Sequence, residues 1–95
     1  MKLYLIAIIK SKPEFQTEVQ VMLENLVVQS NQESACIQYD LHQSTSDNNV
    51  FVFYEIWESQ AGLDFHNAQA YIKAFVEVIP QKLQEAPTIY ITKKI

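Results

Sequence analysis

A single glycine in ninety-five residues excludes a class of functions. Phosphate-cradling loops and dinucleotide fingerprints use two or three glycines so that backbone can approach the ligand closely, and Gly62 alone cannot build one. No G-x-S-x-G nucleophile motif is present either. The single cysteine, Cys36, excludes an internal disulfide; with only His42 and His66 beside it, no zinc-type spacing exists. Seven basic residues against eleven acidic ones give a net charge of -4 and no basic stripe, which argues against nucleic acid. The longest apolar run, Leu3 to Ile9 after Lys2, is too short to span a bilayer, and no small-residue cleavage site follows it. These deficits predict no metal, no nucleotide cofactor, no membrane and a reducing, cytoplasmic setting.

What is present is globular in balance, with 48% hydrophobic and 19% charged residues and no linker or repeat, so residues 1–95 read as one domain. The chain is organised around Phe51 to His66. Aromatic and β-branched side chains occupy both parities from Phe51 to Trp57, the mark of a strand that buries both faces. Ser59 is a helix N-cap, and Leu63 and His66 then fall on one side of the following turns.

Lys2 to Ile9 reads as another two-faced strand. Ser11-Lys12-Pro13-Glu14 has the form of a capping box with proline in the first turn, which predicts a helix start at Ser11. Phe15, Val19, Met22, Leu23, Leu26 and Val27 form its apolar stripe, and the polar stretch Ser30 to Ser34 places its end near Ser30. Cys36 to His42 reads as a half-exposed strand with Ile37, Tyr39 and Leu41 on one face, joined to Phe51–Trp57 by the turn residues Ser44 to Asn49. A later helix carries Tyr71, Ile72, Phe75, Val76, Ile79 and Leu83, with a kink or break expected at Pro80, and Thr88 to Thr92 forms a last strand. The order β-α-β-β-α-β is the ferredoxin-like split βαβ unit, an α+β fold with an antiparallel sheet and both helices on one face. The bare face carries apolar residues, which predicts a face-to-face homodimer; parity leaves open whether Tyr4, Ile6 and Ile8 or Leu3, Leu5 and Ile9 meet the partner.

Among chemistry-bearing residues, His66 is placed between helix and sheet, either as a base or as a buried histidine bonded to backbone. Glu55 shares its strand face with Phe51, Phe53 and Trp57, where a carboxylate would have a raised pKa and could act as a base; a lysine partner at a sheet end is the alternative. Trp57, Tyr39, Tyr54 and Tyr71 are either core or the walls of a pocket for a flat ring. Cys36 has no neighbouring cation to activate it, and His42 beside the polar turn reads as solvated.

The stretch from Tyr54 to His66, with E-x-W-E-S at Glu55–Ser59 and L-x-x-H at Leu63–His66, together with Cys36 to His42 and Tyr71 to Phe75, resembles the antibiotic biosynthesis monooxygenase domain family across nearly the whole chain. The resemblance implies a dimeric α+β barrel with a cavity in each subunit. It further implies oxygenation of a small phenolic or quinol substrate without metal or flavin, with His66 as base, Glu55 as a weaker candidate, and Trp57, Tyr39 and Tyr71 as substrate-binding residues. Alternatives within the family are a non-catalytic small-molecule-binding or stress-related module and an enolate-type isomerase of a small signalling molecule. A second histidine common in the family is replaced here by Ala70, and the haem-degrading pattern is unmatched at Ala7, His66 and Val76.

Overall fold

The computed structural model describes residues 1–95. Four strands, β1 (Leu3–Lys10), β2 (Cys36–Gln43), β3 (Val50–Trp57) and β4 (Thr88–Thr92), form one antiparallel sheet in the order β2-β3-β1-β4. Helices α1 (Gln16–Ser30), α2 (Gln60–Asn67) and α3 (Ala70–Lys82) complete the split βαβ unit expected from the pattern. The central pair runs in register from Leu3 opposite Trp57 to Lys10 opposite Val50. Leu3, Leu5, Ala7 and Ile9 of β1 and Phe51, Phe53, Glu55 and Trp57 of β3 therefore share the helix-covered face and are buried. Tyr4, Ile6 and Ile8, with Val52, Tyr54 and Ile56, point the other way and remain half-buried, so the open face is theirs.

Several local expectations give way to tertiary contacts. Ser11 does not cap a helix. Its backbone stays extended, bridged to Leu83, its N–H donates to the Asn49 carbonyl at 2.8 Å, and the side chain is fully buried against Asn49. The chain turns instead through a 3₁₀ segment, Pro13–Phe15, with proline in its first turn as expected, and α1 proper starts at Gln16. In β2 the pairing slips between Cys36 and Gln38, so Ile37 becomes the extra residue of a bulge and is 41% exposed rather than joining Tyr39 on the inner face. Helix α3 is not broken at Pro80 but runs on to Lys82. The N–H that proline lacks would have met the carbonyl of Val76, and Val76 lies on the exposed side of the helix, where a missing backbone hydrogen bond costs least.

The core is filled by Val19, Leu23 and Leu26 of α1, spaced four and three apart, packed with Phe75 of α3 on the inner sheet face. Helix α2 is set by a close approach. Ser59 Oγ accepts the Gly62 N–H at 3.1 Å, and a Cβ on Gly62 would lie 2.5 Å from the Cβ of Ala35 in the α1–β2 turn. The Glu58 N–H also donates to the Ala35 carbonyl, at 3.0 Å. Glycine at this position thus lets α2 seat against that turn, which carries Glu33.

Candidate functional site

Between the inner sheet face and the three helices lies a cavity of about 210 Å³. Leu5, Ala7, Ile9 and Phe53 form its floor, Leu26, Leu63, Ile72 and Phe75 its roof, and Val76, Pro87 and Ile89 also border it. Val76 and Ile89 are each more than half exposed, so the cavity opens towards the β4 edge. An apolar cavity of about 150 Å³ is enough for benzene, so this one suits a single substituted ring. Its polar lining is confined to Glu55, His66, Asn67 and the phenol of Tyr39.

Glu55 reaches this wall because β3 alternates, and it is 4% exposed. Its Oε1 accepts the Trp57 indole N–H at 2.9 Å, so its partner is the neighbouring aromatic and not a lysine. Burial pushes its carboxyl up to about 7; the indole hydrogen bond pulls the other way and the charge of Glu33 adds to the rise. A carboxyl raised to about 7 divides between its two forms near neutral pH.

His66 comes from the second turn of α2 and is buried beside Leu63. Its Nδ1 lies 2.7 Å from Glu33 Oε2, while Nε2 has no hydrogen-bond partner in the chain. The partner is a carboxylate and not the backbone. Trp57 packs on the imidazole with ring centres 4.4 Å apart, and Tyr39 stands at 5.6 Å. Burial draws the imidazole below its ordinary range, opposed by the hydrogen bond and charge of Glu33.

Of the residues singled out in the sequence, Tyr39, Glu55 and His66 line the cavity together. Trp57 and Tyr71, expected as walls, stand behind it. Trp57 is fully buried and fixes both Glu55 and His66, whereas Tyr71 donates its hydroxyl to Glu33 Oε2 and borders a shallow depression between α1 and α3. Tyr71 is pushed up to about 12 by burial and by Glu33, and burial also raises Tyr39. The Ser30 hydroxyl is buried beside these phenols without a bond to either. Cys36, pushed up to about 11 mainly by burial, stays a thiol at neutral pH. His42 is exposed, and no three His, Cys, Asp or Glu side chains converge as metal ligands.

Glu33 is the residue of this candidate site that sequence reasoning missed. It lies in the polar stretch Ser30 to Ser34, where local pattern says only that a helix ends. No local signal distinguishes it from its neighbours, because its partners His66 and Tyr71 lie 33 and 38 residues away.

The fold agrees with known proteins. The model of the antibiotic biosynthesis monooxygenase family matches residues 3–78. YcnE of Bacillus subtilis is 39% identical over 70 residues, 74% of either chain. Protein sll1783 of Synechocystis is 33% identical over 85 residues, 90% of this chain; the chain spans 58% of that relative's length. The crystal structure of PA3566 from Pseudomonas aeruginosa superposes with a TM-score of 0.94 at 31% identity, covering 99% of this chain and 94% of that one. By the family match and these likenesses together, the chain belongs to the antibiotic biosynthesis monooxygenase family.

Proposed function

We propose that this protein is a cofactor-independent monooxygenase that oxidises a small phenolic or quinol compound in its cavity. The observation that carries the reading is the pairing of two proton acceptors, Glu55 and His66, on the wall of an otherwise apolar, ring-sized cavity. A phenol is a poor reductant of oxygen until it loses its proton. His66 Nε2 takes that proton and Glu55 is a second acceptor; the phenolate then passes electrons to dioxygen in largely apolar surroundings. One oxygen atom bonds to the ring. The other leaves as water with the phenolic hydrogen and the displaced ring hydrogen, giving a quinone from a phenol. The substrate supplies all four electrons, so the balance needs no outside reductant.

The same reading includes a homodimer closed over the face of Tyr4, Ile6, Ile8, Val52, Tyr54 and Ile56, supported by the apolar character of that face and of the exposed edge residues Ile89, Tyr90 and Ile91. No helix is long and apolar enough to cross a membrane, and a free Cys36 suits a reducing, cytoplasmic compartment. The test is oxygen uptake by metal-free protein across a panel of phenols and quinols, with strong loss in His66→Ala. Equal turnover in that variant removes His66 from the mechanism. Ala70 at the start of α3, where a second histidine is absent, favours one other outcome: ligands that raise the melting temperature without oxygen consumption, which would make the protein a binding module.

A further inference from the structure

We infer that Glu33 is a positioning residue for His66: its carboxylate holds the imidazole proton on Nδ1 and thereby presents an unprotonated Nε2 to the cavity. What Nε2 then does rests on the oxygenase reading, but the tautomer is a property of the protein alone.

Lone pairs decide the tautomer. A carboxylate oxygen offers only acceptors, and Glu33 Oε2 sits 2.7 Å from Nδ1. Were the ring proton on Nε2, two lone pairs would face each other at that distance with both side chains over nine-tenths buried, at 5% and 9% exposure. The Tyr71 hydroxyl donates to the same Oε2, which keeps that oxygen an acceptor. The second oxygen, Oε1, is buried without a partner, so no donor elsewhere draws the carboxylate away from the ring. Nor is the carboxylate on a loose loop. The Glu33 N–H donates to the Ser30 carbonyl at 3.0 Å, and the Glu33 carbonyl accepts the Cys36 N–H at 3.1 Å. Two residues on, Ala35 is pinned beneath Gly62 of α2. Trp57 on one side and Tyr39 on another restrict rotation of the imidazole, so Nε2 is directed by the same contacts that fix Nδ1.

When Nε2 accepts a proton from a hydroxyl in the cavity, the imidazolium forms against a carboxylate already in place. The titratable groups around the ring are Glu33 from the α1–β2 turn, Tyr39 from β2, Glu55 from β3 and Tyr71 from α3. Only Glu33 bonds it.

The experiment is long-range proton–nitrogen NMR of the imidazoles in the full-length ¹⁵N-labelled chain, across pH, for wild type, Glu33→Gln and Glu33→Ala. The exposed His42 serves as internal control for an unconstrained ring. Wild-type His66 is expected as a single Nδ1–H tautomer above its titration. In Glu33→Ala the Nε2–H form appears, and in Glu33→Gln, which keeps shape but not charge, the His66 midpoint falls by about one pH unit or more. A wild-type Nε2–H ring, or a tautomer and midpoint unchanged in Glu33→Gln, overturns the proposal. If Glu33→Ala does not fold, Glu33→Gln alone decides. With an oxidised substrate in hand, Glu33→Gln lowers kcat with little change in KM, whereas a protein that consumes no oxygen refutes the oxygenase reading and leaves the tautomer that NMR reads for His66 unaffected.

Discussion

Glu55→Gln tests whether a buried carboxylate opposes the fold at neutral pH. The group ionises near pH 7 in the folded chain, against an ordinary 4.5 once unfolded. The native state thus holds the proton more tightly. Its contribution to stability is fully favourable below pH 4.5 and is lost as pH rises through 7, above which the fold carries the whole penalty of a buried charge. The swing is about 3 kcal/mol, taking 1.36 kcal/mol per pH unit and no solvent discount, since the side chain is almost fully buried. Glutamine keeps an acceptor for the Trp57 indole but adds a buried amide donor, at a cost of roughly 1–3 kcal/mol that does not vary with pH. Only the pH dependence is therefore diagnostic. Urea unfolding of both proteins, at fixed concentration from about pH 4 to about pH 8, should move the stability difference towards the variant by about 3 kcal/mol. A difference flat across that range would refute the raised ionisation and, with it, the readiness of Glu55 to exchange a proton at neutral pH.

Three further outcomes follow from the packing. Gly62→Ala, whose methyl would lie 2.5 Å from Ala35 Cβ, should destabilise by about 1–3 kcal/mol in urea despite alanine's better helix propensity, and Ala35→Gly in the same chain should recover part of the loss. Ile6→Lys on the open face should give a folded monomer or an aggregate by sedimentation, while Leu5→Lys on the buried face should unfold the chain by circular dichroism; a wild type that sediments as a compact 11 kDa species would sink the dimer. Carboxylated phenols should bind at least about tenfold more weakly than their neutral parents by calorimetry, because Glu55 borders the cavity and no lysine does; equal affinity would show that the added charge does not enter the cavity.

The readings that held are those in which a short stretch carries its own constraint. Apolar runs that fill both parities, Leu3 to Ile9 and Phe51 to Trp57, placed the two central strands. The 3.6-residue stripe of Val19, Leu23 and Leu26 gave α1 and its end at Ser30, and Ser59 capped α2 as its hydroxyl allows. Ser11 failed because its donor and acceptor groups found Asn49 and the Gln84 side chain, 38 and 73 residues away, before a helix could use them. Ile37 failed because a bulge changes parity without leaving a trace in composition. Tyr39, Glu55 and His66 were legible as site candidates because each sits on a patterned element. Trp57 and Tyr71 were legible as aromatics but not as supports, since which side of a ring meets a ligand depends on its neighbours.

On the open sheet face, the folded geometry lowers the gain to be had from covering the apolar side chains. From sequence, about six apolar side chains at roughly 1.5–3 kcal/mol each suggest an upper bound on the order of 10 kcal/mol per subunit for covering that face. In the folded chain Tyr4, Ile6, Ile8, Val52, Tyr54 and Ile56 are already half-buried by one another across β1 and β3. What remains to be gained is about half of the original figure, on the order of 5 kcal/mol per subunit, which the entropy of association can consume. Additional area must come from elsewhere, and the fold offers it at β4, where Ile89, Tyr90 and Ile91 are each more than half exposed on the sheet's free edge. Tyr90 shares the open face with Ile6, while Ile89 borders the cavity. A partner that covered this edge as well as the open face would therefore reach the cavity mouth, coupling assembly to the exclusion of water from the site.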